Sequence, residues 1–468
     1  MKVNQGSLKK MTCGAIAAAA LLAMSACSPG GSTGKDGSAS DAAQGGSSLT
    51  MWTFKQSHVK PLQNAAEKFK EKTGVSVTVQ AFTPDDAYVT KVQTSAQTGD
   101  LPDVMEVHSN GEDFTYGGSG LLTNLADKVD SSWSNSFLEA VRQDGVVNDA
   151  YYKQSLAEGS KTAGIQKGER WSVPFTIGTF GIVYANKAKL AAAGVTEAPK
   201  TWEAWMADLE KVKAASGTTG GVSIGFQSPT TGLEWAMQQM AFAQIGPDAY
   251  HGLFSNDASK NFASANGTKV LSTYAQIQPY WMPGTQSLTI DDADIAFAQG
   301  KAAYDIGGTF TLAFLAQNGM TMDDIITFPI PEPSDSVIKD RGLSPFGLTG
   351  LSLSASSKNQ ESALEWMKYL ATEEVAAQFA KDAMDVPPVS LGDKPEDTVG
   401  PVLGAMIDVF GSDPKTDYNL GDTSYKPGAY DGTPVGNALM ELTPLATADV
   451  AATGAKMAEI IDTFWSQS

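Results

Sequence analysis

Both cysteines of this 468-residue chain, Cys13 and Cys27, fall in a segment that reads as an export signal. Lys2, Lys9 and Lys10 give it a basic start. Gly14 to Met24 is an apolar run too short to span a bilayer as a mature helix, and Ser25-Ala26 supplies small residues before a cut site. With no cysteine after position 27, the folded part has no disulfide and must be held by its core. The composition suits this, being 42% apolar with nine Trp and nineteen Phe. A chain this long exceeds one compact core and is expected to form two domains. No later stretch reaches the roughly 18 uninterrupted apolar residues of a membrane helix.

A cysteine directly after Ser25-Ala26 makes the segment resemble a bacterial lipoprotein signal. The resemblance implies removal of residues 1–26, with Cys27 left as a lipid-bearing N-terminus. Met24 stands where that pattern prefers Leu. The other reading is an ordinary secretory signal. Either way the chain is expected outside the cytoplasmic membrane, which excludes most metabolic enzymes. Residues 27–48 read as a flexible tether, since 28–48 hold six Gly and six Ser and no large apolar residue. Its root-mean-square span is on the order of 25 Å. The formal net charge of −19 becomes more negative once the three signal lysines are lost. So acidic a chain repels nucleic acid and anionic lipid.

The folded body is expected to start at Leu49. Residues 49–54 read as a buried strand, followed by a helix with Pro61 in its first turn, Leu62, Ala66 and Phe69 on one face, and Gly74 at its end. Val75–Val79 reads as a second strand, 85–97 as a helix and Asp103–Val107 as a third strand. This alternation predicts an α/β fold with a mostly parallel sheet. Residues 171–187 are extended and Gly-punctuated. Thr201 is a candidate N-cap for a helix carrying Trp202, Trp205, Leu209 and Val212. Residues 327–353, rich in Pro, Gly and Ser, read as a connection between domains. Ser357 and Gln360 suggest a capping box for the helix with Leu364, Met367 and Leu370. The C-terminal helix carries Val450, Met457, Ile460 and Phe464.

The search for catalytic chemistry yields little. His58, His108 and His251 are the only histidines, and no zinc-binding spacing exists. Gly30-Gly-Ser32-Thr-Gly34 fits a nucleophile pattern but lies in the tether, without the strand and helix that pattern needs. Gly300-Lys301 lacks the rest of a phosphate loop. Asp291-Asp292-Ala293-Asp294 lacks the Gly and terminal Glu of a calcium loop and reads as a solvated acidic helix start. No metal or cofactor is expected. What remains is a set of aromatics beside Gly and small polar residues: Trp52-Thr-Phe54, Thr179-Phe180, Gly307-Gly308-Thr309-Phe310 and Pro345-Phe346-Gly347. Sugars need such surroundings, because their C–H faces stack on rings while their hydroxyls hydrogen-bond. Core packing is the alternative for any single aromatic.

The order of several segments extends this reading. Thr98–Val104, Trp171–Phe175, Val183–Lys187, Pro199–Glu203, Ala296–Tyr304 with Gly307–Phe310, and Ser356–Glu361 together resemble the extracellular solute-binding proteins of carbohydrate ABC transporters, the group that includes maltose-binding protein. The resemblance spans nearly all of 49–468. Ala185 departs from the usual Tyr-Asn-Lys pattern, and Phe310 replaces the usual Trp. The resemblance implies an α/β, two-lobe periplasmic-binding-protein-like fold of type II, hinge-linked, with the ligand in the cleft. Lobe 1 is expected at 49–177 with 350–395, and lobe 2 at 181–325 with 396–468. Gly178, Gly181, Gly347 and Gly350 either absorb hinge rotation or serve tight turns.

The resemblance carries over cleft residues one at a time. His108, Ser109 and Asn110 match a loop that grips sugar hydroxyls. Phe310 matches a stacking aromatic, while Thr179 and Phe180 fall at the cleft wall. Trp235 and Tyr430 lie near other aromatic positions. Phe54, Gln56 and His58 follow the first strand, where α/β folds bind ligands. The expected function is a lipid-anchored monomer that captures a sugar or oligosaccharide and passes it to ABC permease subunits with a separate ATPase. It performs no catalysis and binds no nucleic acid. The alternatives are a polyol or polyol phosphate binder, a polyamine binder and a secreted glycan-degrading enzyme. A phosphate would want Arg or Lys in the cleft loops, which show none. A polyamine would want acids such as Glu112, Asp113 and Glu234.

Overall fold

The computed structural model describes residues 48–216, 220–411, 413 and 415–467. The signal segment with Cys27 and the Gly30–Gly34 motif lie outside the described residues, as does the tether apart from Ser48. Ser48 already belongs to the first strand.

Two sheets carry the fold. The first has five strands: β1 (Ser48–Thr53), β2 (Ser76–Ala81), β3 (Val104–His108), β4 (Val173–Gly178) and β9 (Phe346–Leu353), in the order β2-β1-β3-β9-β4. β1 pairs in parallel with β2 and β3, while β9 runs antiparallel between β3 and β4. The second has four: β5 (Phe180–Asn186), β6 (Gly220–Ser223), β7 (Ala302–Gly308) and β8 (Ile325–Pro329), in the order β6-β7-β5-β8. The predicted parallel alternation thus holds for the first three strands. The second sheet is mixed, with β7 parallel to β6 and antiparallel to β5.

Each sheet has its own core. Leu49, Met51, Leu62, Phe69, Val104, Leu351, Trp366 and Phe379 pack on one side of the first. Ile182, Tyr184, Trp202, Trp205, Val222, Phe242, Tyr304 and Leu439 belong to the cluster around the second. The helix Gln56–Thr73 buries Leu62, Ala65, Ala66 and Phe69 and ends at Gly74, whose φ of 78° is the left-handed C-cap expected. Pro61 lies in its second turn, not its first, because the helix starts at Gln56. Thr201 caps the helix Trp202–Ser216, its hydroxyl accepting from the Ala204 N–H at 3.2 Å.

Two local expectations fail. Ser357 makes no capping box: its hydroxyl donates to Asp103 at 2.6 Å, and Asn359 precedes the helix Gln360–Leu370 without a side-chain cap. The capping box sits instead at Thr289 and Asp292, on the helix Ile290–Ala298. Asp294 on that helix is not solvated; it is 2% exposed. Asp291 and Asp292 lie in the exposed first turn of the helix, and Asp294 lies further along it, where the helix packs on β7.

The chain passes from the first sheet to the second between Gly178, paired with Phe346, and Phe180, paired with Gly308. Thr179 alone separates them. A longer passage, 330–345, returns from β8 to β9. At the glycines of this crossing a side chain would meet close neighbours. Gly181 has φ 77°, and a Cβ there would strike the Trp235 carbonyl and the Gln239 amide. A Cβ on Gly178 would strike the Thr309 hydroxyl.

Candidate ligand-binding site

The predicted site residues fall into two groups. At the carboxyl ends of β1 and β3, Phe54 stacks on His108 with ring centres 4.4 Å apart and leans on Tyr88. His108 is exposed and paired with Glu112 at 3.3 Å. Burial lowers its proton affinity, but Glu112 and Asp85 outweigh that and raise it. Gln56 is exposed at the start of its helix. The Ser109 hydroxyl is buried without a hydrogen-bond partner.

Asn110 has φ 61°, a left-handed conformation that Asn tolerates. Its amide donates to Asp144 at 2.9 Å and its carbonyl oxygen accepts from the Gly145 N–H at 2.9 Å. The other Asp144 oxygen accepts from the Gly347 N–H at 2.6 Å. Asn110 therefore braces the loop after β3 against the start of β9, rather than offering both its polar atoms to a ligand.

The second group is aromatic. Phe180 stacks on Trp235 at 4.8 Å and meets Phe310 at 6.1 Å and Phe346 at 5.3 Å edge-on. Trp235 belongs to a π-helical stretch, Thr231–Met237, that runs into the helix Gln238–Ile245. Gln239 on that helix donates to the Phe180 carbonyl at 2.5 Å. Phe180, Phe346 and Tyr430 wall a cavity of about 410 Å³ whose polar lining includes Glu234, Thr423, Lys426 and Asp431. The Tyr430 hydroxyl is buried and lacks a partner.

Lys426 is 8% exposed, with its ammonium 4.9 Å from the Tyr430 ring centre, 5.1 Å from Phe254 and 5.6 Å from Tyr425. Such rings attract a cation through their quadrupoles. Burial lowers its proton affinity, countered by Glu234 and Asp422. Burial likewise raises the Glu234 carboxyl, against the pull of Lys426. A second cavity of about 420 Å³ borders other residues of the same segment, among them Tyr418, Asp422 and Tyr425.

Three expectations need correction. His58 is fully buried, held between Glu106 at 3.0 Å and Asp385 at 3.1 Å, and has no surface to offer a ligand. Thr179 is 1% exposed, and its carbonyl accepts from the Thr309 N–H, so it is a packed crossing residue rather than cleft wall. Asp113, considered as an acid for a polyamine, is buried and caps its own helix start, accepting from the Ser172 hydroxyl and the Gly111 and Phe114 N–H groups.

The cavity also contains a cation that the sequence reading did not place in the cleft, Lys426, four positions before Tyr430. Asp431 and Asp144 were missed as well. Phe346 stands out in the sequence as an aromatic beside Gly347 but is not among the residues carried over to the cleft. Asp144 carried no signal, because its partners Asn110 and Gly347 are remote in sequence.

A family model described as bacterial extracellular solute-binding protein matches residues 55–377. The chain is 25% identical over 371 residues to the diacetylchitobiose binding protein DasA of Streptomyces coelicolor, covering 77% of each. It is 26% identical over 389 residues to the maltodextrin-binding protein MdxE of Bacillus subtilis, covering 80% of this chain and 79% of that one. With the periplasmic-binding protein YcjN of Escherichia coli it shares 24% identity over 293 residues and spans 60% of that protein's length.

Among solved structures, one from work on xylan utilization by Caldanaerobius polysaccharolyticus superposes with a TM-score of 0.66 at 18% identity, covering 88% of this chain and 99% of that chain. Maltose-bound MalE3 of T. maritima superposes with a TM-score of 0.64 at 15% identity, covering 89% and 99%. These likenesses establish the two-lobe fold, and with the family match over most of the chain they identify it as a member of the extracytoplasmic bacterial solute-binding proteins.

Proposed function

We propose that this chain is the substrate-binding component of an ABC importer and captures a sugar or oligosaccharide in the cavity walled by Phe180, Phe346 and Tyr430. The observation that carries the reading is the composition of that cavity: rings for the C–H faces of a sugar, carboxylates to accept from its hydroxyls, and a buried Tyr430 hydroxyl with no protein partner. The relatives named for diacetylchitobiose and maltodextrin support it. The carboxylates outnumber the one ammonium, which disfavours a phosphorylated ligand even though Lys426 is present.

In this reading the chain catalyses nothing. It works as a monomer, held to the outer face of the membrane by lipid on Cys27 and tethered by 27–48. It delivers its ligand to permease subunits served by a separate ATPase. The first sheet with its helices forms one lobe and the second the other. Closure brings the Phe54–His108 group towards the aromatic group.

A glycan array followed by calorimetry tests the reading. One class of neutral saccharide is expected to bind and to be recovered uncut. Tyr430→Phe, which removes only the unpaired hydroxyl, is expected to weaken that ligand roughly fivefold, as loss of about 1 kcal/mol predicts. Recovery of shortened saccharides would favour the glycan-degrading alternative, and tighter binding of spermidine than of any saccharide would favour a polyamine.

A further inference from the structure

Asp305 lies on β7, the strand that leads into Gly307–Phe310, and is fully buried. Asp294 approaches it from the helix Ile290–Ala298 and is 2% exposed. The helix packs on β7, and the two buried carboxyls each act on the other's proton affinity. The Ser223 hydroxyl on β6 donates to Asp305 at 2.6 Å, and the Thr311 hydroxyl lies near enough to Asp294 to favour its charged form. The second oxygen of each carboxyl is buried and receives no donor from another group. Among the described residues neither makes an ion pair with Lys, Arg or His. Two acceptors in contact without a cation cannot both be ionised in an interior, since like charges there are costly.

We propose that Asp294 and Asp305 share one proton at neutral pH and that the protonated pair positions the Gly307–Phe310 loop, which packs against Phe180 in the wall of the ligand cavity. The connection runs through Thr311, which lies beside Asp294 and whose Oγ1 accepts from the Gly308 N–H at 3.3 Å. The Gly308 carbonyl accepts from the Tyr184 hydroxyl at 2.6 Å, and Gly308 pairs with Phe180 across the sheet. Phe310 follows two residues later and meets both Phe180 and Trp235 edge-on.

The groups facing the pair from its neighbours are Tyr184 on β5, Ser223 on β6, Thr311 on the following helix and Asp291 on Asp294's own helix. None supplies a positive charge, and Asp291 adds to the repulsion. Burial raises both carboxyls above the ordinary range, in agreement with this geometry. Loss of the shared proton leaves two repelling carboxylates under the loop. They relieve the repulsion by separating, which moves Thr311 and with it Gly308.

The test uses the full chain and the variants Asp294→Asn and Ser223→Ala. Infrared difference spectra of the folded protein at pH 7 are expected to show a protonated carboxylic acid, absent in Asp294→Asn, where the new amide donates to Asp305 without a proton. The wild-type melting temperature is expected to fall as pH rises through neutrality, and the Asp294→Asn profile to stay flatter. Ser223→Ala removes a donor that favours ionisation, so its fall is expected at higher pH. Should Asp294→Asn not fold, the Ser223→Ala shift and the wild-type spectrum decide.

The binding arm rests on the saccharide reading: affinity for the glycan selected on the array is expected to weaken at least about fivefold between pH 6 and pH 9 in wild type, the low end of coupling between linked sites, and to change less in Asp294→Asn. Absence of the acid signal in wild type, or a signal unchanged in Asp294→Asn, overturns the shared proton. Affinity that follows the same pH course in wild type and Asp294→Asn overturns the positioning role. Failure of every glycan to bind, with the infrared result intact, refutes the saccharide reading instead.

Discussion

The two sheets bury pairs of carboxylates in opposite ways. In the first, Glu106 on β3 and Asp385 face His58 and Lys55, so two acids meet two bases. Both ring nitrogens of His58 face carboxylates, which makes the ring an imidazolium. Burial disfavours its charge, but Glu106 and Asp385 outweigh burial and raise its proton affinity. Burial would raise Asp385 too, yet Lys55 and His58 hold it at about 2. Beside the second sheet, Asp294 and Asp305 form no ion pair with a base among the described residues. One cluster is neutralised by cations and the other by a proton, so the carboxylates of the two respond to pH with opposite sign.

A group whose folded proton affinity is lowered, like Asp385 or Glu106, stabilises above its unfolded value and loses that contribution as pH falls through the folded one. A carboxyl raised by burial does the reverse: its contribution is full at low pH and drains away as pH climbs from about 4 through the raised value. Acid should therefore attack the first cluster through Glu106 and Asp385, and mild alkali the Asp294–Asp305 pair, while the raised His58 gives the first cluster a contribution that is itself lost as pH rises.

The largest effect expected is from His58→Ala, which leaves Glu106 buried without its base and Asp385 with Lys55 alone. Removing one partner of a buried pair costs about 3–5 kcal/mol, measurable as a shift in urea midpoint. A loss under about 1 kcal/mol would mean the cluster is not charge-compensated as described.

Next is Asp294→Asn. At pH 8 it should stabilise the protein by about 1–3 kcal/mol, the scale of satisfying a buried polar group, and at pH 5 by much less. Chemical denaturation at the two pH values checks this. Equal effects at both would erase the contrast between the sheets.

A third carboxylate, Asp144, is satisfied mainly by hydrogen bonds from Asn110 and Gly347, and burial outweighs them enough to raise it. Asp144→Ala leaves both donors unpaired and should cost about 1–2 kcal/mol. Asp144→Asn, which retains an acceptor, should cost less. Thermal melts rank the two, and the opposite order would show that charge, not geometry, matters there.

The smallest effect belongs to the surface. Lys456 and Glu441 form an exposed pair at 2.5 Å. Lys456→Ala should change stability by about 0.5 kcal/mol or less, which fixes the baseline against which the buried clusters are judged.

Local periodicity made much of the first sheet legible: β1, β2 and β3, the helices between them and the Gly74 cap follow from spacing alone. Legibility ended where a side chain serves a distant partner. Ser357 and Gln360 had the spacing of a capping box, but Asp103 claims the Ser357 hydroxyl across 254 positions. The acidic run at 291–294 looked uniform, yet its last member lies where the helix packs on β7. Phe180 and Phe310 were legible through their small neighbours and Trp235 through the family resemblance, and the structure brings the three together. His58 was placed by chain proximity to β1, yet the same proximity put it under the sheet edge instead of in the cleft.

The crossing at Thr179 has a mechanical consequence. A link of one residue has no slack, so the ends of β4 and β5 can neither draw apart nor slide past each other. Relative movement of the two sheets is confined to turning about that point, as at a pin. The passage through 330–345 stays bound on the second sheet's side as far as Ser344, whose N–H donates to the Tyr418 carbonyl, and it crosses beside the same point, where Phe346 pairs with Gly178.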